Sequence, residues 1–197
     1  MNTFKNMISG AMLLASMGVA SAADAATSAT YTIDPTHTFV MYEIGHYGTT
    51  TNRGRFSTAE GSVAFDRAGK NGRVDITMDI SSVNTGVDAL NKHIQSKDFF
   101  NAAKFPTGRF VADQFSFDGD KVSTISGSLT LLGQTHPVTL KANRFNCYQN
   151  PMVKRETCGG DFEGTISRSE WGITWGLNFG FEDAVKLLVQ VEAIKTN

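Results

Sequence analysis

The sequence predicts an all-β fold, an antiparallel β-barrel of about eight strands with one short helical excursion. Three observations predict it. From Tyr31 onward apolar and polar residues alternate with a period of two almost throughout, the mark of half-buried antiparallel strands with one wet face. Turn-forming clusters rich in Gly, Asp and Asn separate the alternating runs. One stretch, residues 88–103, abandons the alternation. A chain of 197 residues (21.3 kDa) is long enough for one domain with a sizeable core and too short for two ordinary ones. A sheet of so many strands in one domain has open edges unless it closes on itself, so a barrel is preferred to a sandwich.

The chain opens on an address. Residues 1–6 are short and weakly positive, residues 7–20 are apolar, and Ala20-Ser21-Ala22 is an A-x-A cleavage site. This reads as a secretory signal peptide over residues 1–22, cleaved near Ala22 or Ala23. No Cys follows the cleavage point, so no lipid anchor is indicated. Residues 23–30 are small-residue filler, expected to form a flexible mature N-terminus, and residues 31–197 carry the barrel domain. The expected destination is the periplasm of a Gram-negative bacterium.

The strands follow in order. Val40, Tyr42, Ile44 and His46 alternate with Met41, Glu43 and Gly45. Val74, Ile76, Met78 and Ile80 share one face against Arg73, Asp75, Thr77 and Asp79. The same pattern recurs in Ile125, Gly127, Leu129 and Leu131, in Val138, Leu140 and Ala142, in Phe162, Gly164 and Ile166, and in the run from Val185 through Leu187, Val189 and Val191 to Ala193. Turns are expected at residues 67–72, 118–120 and 132–134. The inward-facing Gly61, Gly127 and Gly164 mark a bulge, a corner, or a place where something approaches the backbone closely. In the excursion, Leu90, Ile94 and Asp98 fall at i,i+4 spacing. Ser96 or Lys97 interrupts it, and Asp98 is a candidate N-cap for a second short turn carrying Phe99 and Phe100. Pro106 ends the segment and starts the next strand.

Charge narrows the function classes. Lys plus Arg (18) nearly equals Asp plus Glu (19), and loss of Lys5 with the signal peptide takes the net charge from −1 to −2. Such a chain has no long-range field to gather nucleic acid or an anionic membrane. No apolar run reaches the roughly 18–20 residues that span a bilayer, so the mature protein is expected to be soluble rather than membrane-spanning. The two cysteines, Cys147 and Cys158, form an even count in an exported chain and read as one structural disulfide, worth about 3 kcal/mol for so short a loop. A reactive or metal-binding pair is the weaker alternative, for there is no C-x-x-C and no adjacent His.

Taken in order, several motifs resemble the YceI-like family. They are Ile33-Asp34-Pro35-Thr36-His37-Thr38-Phe39-Val40, the strand from Tyr42 to Gly48, Arg53-Gly54-Arg55-Phe56, Ser82-Val83-Asn84-Thr85-Gly86, and the segment from Lys92 to Pro106. Gly127 to Gly133, His136-Pro137-Val138-Thr139-Leu140 and Ile166-Ser167-Arg168-Ser169-Glu170-Trp171-Gly172-Ile173 complete the set. The resemblance implies an exported protein with an extended lipocalin-like barrel whose long apolar pore holds a polyisoprenoid or similar amphiphilic lipid. Three departures bear on that ligand: Tyr42 stands where many relatives have Phe, Trp171 replaces a more usual Phe, and the stretch from Trp175 to Phe181 is unusually aromatic.

On that reading the candidate ligand wall comprises Val40, Tyr42, Ile44, His46, Arg53 and Phe56 from the first strands. Further along the chain, Ile76, Met78, Leu129, Leu131, Phe162, Ile166, Arg168, Trp171 and Leu187 join it. Phe99 and Phe100 are expected to close the pore and touch the lipid tail, the alternative being a helix packed on the outer wall. Each buried methylene of a lipid contributes about 0.8 kcal/mol, so tail burial outweighs any single polar contact. Arg53, Arg55 and Arg168 are suited to a diphosphate head group or, equally, to rim ion pairs. No cofactor beyond a bound isoprenoid or quinone-like lipid is expected, and a second copy of the chain is kept open as a partner. The four histidines, His37, His46, His93 and His136, show no metal-ligand spacing, and no nucleophile elbow or phosphate loop occurs. No catalytic or metal residues are therefore assigned. The competing reading is a hydrolase or isomerase acting on such a lipid, using His46 with Glu43 or Glu170.

Overall fold

Alternation becomes strand in a computed structural model that describes residues 28–196. The strands are β1 (Ala29–Ile33), β2 (Phe39–His46), β3 (Thr50–Phe56), β4 (Ala59–Asp66), β5 (Asn71–Asp79) and β6 (Val83–Asn84). After helix α1 (Asp88–Gln95) come β7 (Thr107–Asp118), β8 (Lys121–Leu131), β9 (Gln134–Asn150), β10 (Arg155–Ser167) and β11 (Ala184–Lys195). The signal peptide expected over residues 1–22 lies outside the described residues. β1 takes in Ala29 and Thr30, at the end of the segment expected to be flexible.

All strand pairings are antiparallel and belong to one sheet. β1 and β2 pair in succession along the same edge of β11, β3 and β4 continue one another beside them, and β5 and β6 do the same. Counting each of these bent pairs as one long strand gives an eight-stranded up-and-down barrel, closed by β11 on β1. Closure removes most of the exposed edge that an open sheet would present.

Turn chemistry sets the hairpins. Tyr47 and Gly48 (φ 54° and 67°) and Leu132 and Gly133 (φ 51° and 76°) occupy the two central positions of tight turns. Positive φ at both is the requirement of a type I′ turn, whose twist matches the flanking strands. At the interruption between β1 and β2, Asp34 accepts hydrogen bonds from the Thr36 N–H and hydroxyl, and Glu192 of β11 bonds to both Asp34 and Thr38.

The helical excursion is shorter than expected. α1 ends at Gln95, and residues 97–100 form hydrogen-bonded turns rather than a second helical turn. Phe100 N–H bonds back to Ile94 O and Asn101 N–H to Ser96 O, closing the helix C-terminus. Asp98 caps nothing; its carboxylate lies 3.6 Å from His93 Nε2.

The barrel interior has two halves. Away from the β2–β3 turn it is solid: Tyr31, Phe65, Phe117 and Phe145 form an aromatic cluster, with Phe65 stacked 6.1 Å from Phe117 and edge-on 5.6 Å from Phe145. Cys147 and Cys158 face each other in the β9–β10 register and are disulfide-bonded in this half. The half nearer α1 and the β2–β3 turn is hollow.

Candidate functional site

The hollow half holds a cavity of about 460 Å³, within the range of small-molecule sites. Its walls are the inward residues of successive strands. β2 gives Val40, Tyr42, Ile44 and His46, β3 gives Asn52 and Phe56, and β5 gives Ile76 and Met78. Phe110, Leu129 and Leu131 continue the wall on β7 and β8; Val138, Leu140, Ile166 and Leu187 close it on β9, β10 and β11. These strands fold with those side chains inside because a strand's period of two puts every second residue on one face.

The cavity's open end is framed by three segments. α1 contributes Leu90, His93 and Ile94, and the turns after it contribute Phe99 and Phe100. Phe100 packs edge-on against Phe56 with ring centroids 5.5 Å apart. The loop between β10 and β11 contributes Ile173, Trp175 and Phe181. Aromatic contacts link the segments into a collar: Phe99 lies 5.3 Å from Trp175, Trp175 5.5 Å from Phe181, and Phe181 5.1 Å from His46.

Polar groups in the cavity are few. Tyr42 lies across the wall with its hydroxyl bonded to no group among the described residues, and burial pushes its pKa up to about 12. Arg168 is 4% exposed, and its guanidinium is spent inside the protein: Nε donates to Glu182 O and Nη1 to Ile173 O and Trp175 O, each at 2.9 Å. Burial lowers its pKa, with the Asp183 carboxylate opposing that shift. Arg168 thus ties down the loop that carries Trp175 and Phe181. Arg109 belongs to the lining, but its guanidinium clasps Asp75 with both Nε and Nη2 on the exposed face.

Fourteen of the seventeen residues expected in the ligand wall line this cavity and three do not. Arg53 points outward and pairs with Glu43 at 2.7 Å, because β3 turns its even-numbered residues inward. Phe162 is inward but lies in the solid half of the barrel. Trp171 is buried against the β8–β9 hairpin, donating Nε1–H to Leu129 O and packing on His136. Arg55, also outward, stacks over Phe39. Asn52, Leu90, His93, Phe110, Trp175 and Phe181 were missed; strand parity would have found Asn52 and Phe110, whereas the loop residues carry no periodic signal.

The acid–base pair of the competing enzyme reading is not assembled. His46 lines the cavity, Glu43 is on the opposite face of β2 with Arg53, and Glu170 is exposed. Asp34, His37 and Glu192 place one ligand atom each within 4.8 Å of one another at the β1–β2 junction. The Asp34 oxygens there are already engaged by Thr36 and by His37 Nδ1 at 2.9 Å.

The YceI-like domain profile matches residues 31–193. The chain belongs to the YceI-like domain family. It is similar to Protein YceI of Salmonella arizonae and of Salmonella paratyphi B, in each case 33% identical over 173 residues, covering 86% of this chain and 89% of the relative. Its fold matches that of BcnA from Burkholderia cenocepacia, with a TM-score of 0.67 at 24% identity over 81% of this chain and 98% of that one. It also matches a polyisoprenoid-binding domain from Saccharophagus degradans, with a TM-score of 0.63 at 14% identity over 86% and 99% of the two chains. Within the YceI-like family, then, this chain presents a closed barrel, half solid and half hollow, with an aromatic collar at the open end. No helix among the described residues is long and apolar enough to cross a membrane.

Proposed function

We propose that this protein is an exported binding protein that carries or stores a polyisoprenoid or similar amphiphilic lipid in its barrel cavity, in the periplasm. The observation that carries the reading is the cavity itself, walled by apolar residues from eight strands and framed at its open end by α1, Phe99 and Phe100. Each lipid methylene transferred into such a wall gains about 0.8 kcal/mol. A polyisoprenoid-binding domain of the same fold adds to it. The disulfide fits an oxidising compartment.

The head group in this reading is neutral, as in an alcohol or a quinone. A diphosphate would need an available cation, and the two guanidinium groups in the lining, Arg168 and Arg109, are committed to backbone carbonyls and to Asp75. The free Tyr42 hydroxyl is the donor for a neutral oxygen.

The test is native mass spectrometry of delipidated protein offered a polyprenol and the matching polyprenyl diphosphate at equal concentration. A one-to-one complex with the polyprenol in clear preference is expected. Binding of neither, or release of a chemically altered lipid, overturns the carrier reading.

A further inference from the structure

The collar continues past the cavity onto the protein surface. Tyr47 is 51% exposed, Trp175 36% and Phe179 62%, all large apolar side chains in water. They are neighbours. The Tyr47 ring lies 4.7 Å from Phe181, which lies 5.5 Å from Trp175, and Gly180, next to Phe179, approaches Tyr47. Exposed aromatics grouped in this way mark an interaction surface rather than ordinary surface scatter.

Their placement in the backbone is equally unusual. Tyr47 has φ 54° at the tip of a type I′ turn, where Asn, Asp or Gly is ordinarily favoured. Phe179 is held out between Gly176 and Gly180, both left-handed. Two tight turns therefore present aromatic rings at the one end of the barrel where the cavity opens.

We propose that this rim docks on the surface of a phospholipid bilayer and brings the cavity mouth to the lipid. The inference rests on the reading of the cavity as a lipid site. Trp and Tyr partition to the bilayer interface, where ring and polar edge are both accommodated, and an exposed Phe buries its apolar ring at the headgroup–acyl boundary. Lys92 and Lys97, on and just after α1, are exposed and make no ion pair among the described residues, so they are available to anionic head groups beside the rim. Three rings around an opening offer no flat apolar face of the size a stable protein interface needs.

Flotation of the mature protein with vesicles of phosphatidylethanolamine and phosphatidylglycerol tests this. The variant Tyr47→Asn/Phe179→Ser alters two residues outside the cavity lining, and Asn tolerates the left-handed turn. It should partition onto vesicles about tenfold more weakly while retaining cavity lipid and its melting temperature within a few degrees. Brominated acyl chains should quench Trp175 fluorescence in the wild type and not in Trp175→Phe, since Trp171 is buried. Wild-type protein that holds lipid but does not float, or a double variant that floats as well as wild type, overturns the docking. So does a double variant that merely converts a dimer to a monomer. Protein that floats but never holds lipid overturns the cavity reading and leaves the docking standing.

Discussion

The ring of Tyr42 lies flat across Gly54, its register partner on the neighbouring strand. A Cβ at Gly54 would sit 2.6 Å from the Tyr42 Cε1 and hydroxyl. The absent side chain is what lets the ring lie against the wall and leave the cavity open. Gly54→Ala should therefore push the ring into the cavity, weakening lipid binding about tenfold while changing stability by less than about 1 kcal/mol. In a Tyr42→Val background the same change should leave affinity unaltered, and the coupling read from this cycle by ligand titration checks the contact.

Arg168 holds the mouth loop through three carbonyls. Arg168→Met keeps much of the side-chain volume and removes every donor, leaving Glu182, Ile173 and Trp175 carbonyls to find water. The expected result is a loss of about 2–4 kcal/mol in stability together with faster lipid release, measured by denaturation and by stopped-flow displacement. Lipid release unchanged alongside a stability loss would mean the loop does not gate the mouth.

The disulfide lies in the solid half, away from the cavity lining. Replacing Cys147 and Cys158 by Ser should cost about 3 kcal/mol, seen as a lower melting temperature, while lipid affinity stays near wild type. An affinity loss with unchanged melting would contradict that division of the barrel.

Asp34 and His37 make stability depend on pH. Burial raises the Asp34 pKa, but hydrogen bonds from Thr36 and His37 more than reverse this, so it lies below its ordinary 3.8. The hydrogen bond and charge of Asp34 raise His37 above 6.5. Asp34 thus stabilises above pH 3.8 and loses that contribution as pH falls through its lowered value. His37⁺ stabilises fully below pH 6.5 and loses its contribution as pH rises through its raised value. Both operate between pH 3.8 and 6.5, so the melting deficit of Asp34→Asn should be largest there and shrink at alkaline pH. His37 is exposed, so the effect is small.

Strand faces were legible in the sequence because alternation is a local signal. Val40, Tyr42, Ile44 and His46 could be placed on one wall without any knowledge of the partners. Parity also forbids Arg53 and Phe56 from sharing a face, being an odd number of residues apart on one strand, so of the two only Phe56 lines the wall. Depth was not legible. Phe162 and Ile166 share a face, but one lies in the solid half and one lines the cavity, a difference set by register across β9, β10 and β11. The collar was hidden for a third reason. Trp175 and Phe181 belong to an aromatic stretch of the sequence but sit in a loop, where no period links sequence to direction; Trp175 meets Phe99 and His93, and Phe181 meets His46, only through the closure of the barrel.

That the cavity holds a lipid is best tested by native mass spectrometry of the protein purified from its own host. The expected mass exceeds that of the disulfide-bonded chain by one lipid, with the same intact isoprenoid recovered in the organic extract. Repeated isolation at the bare protein mass, with no lipid in the extract, would contradict it.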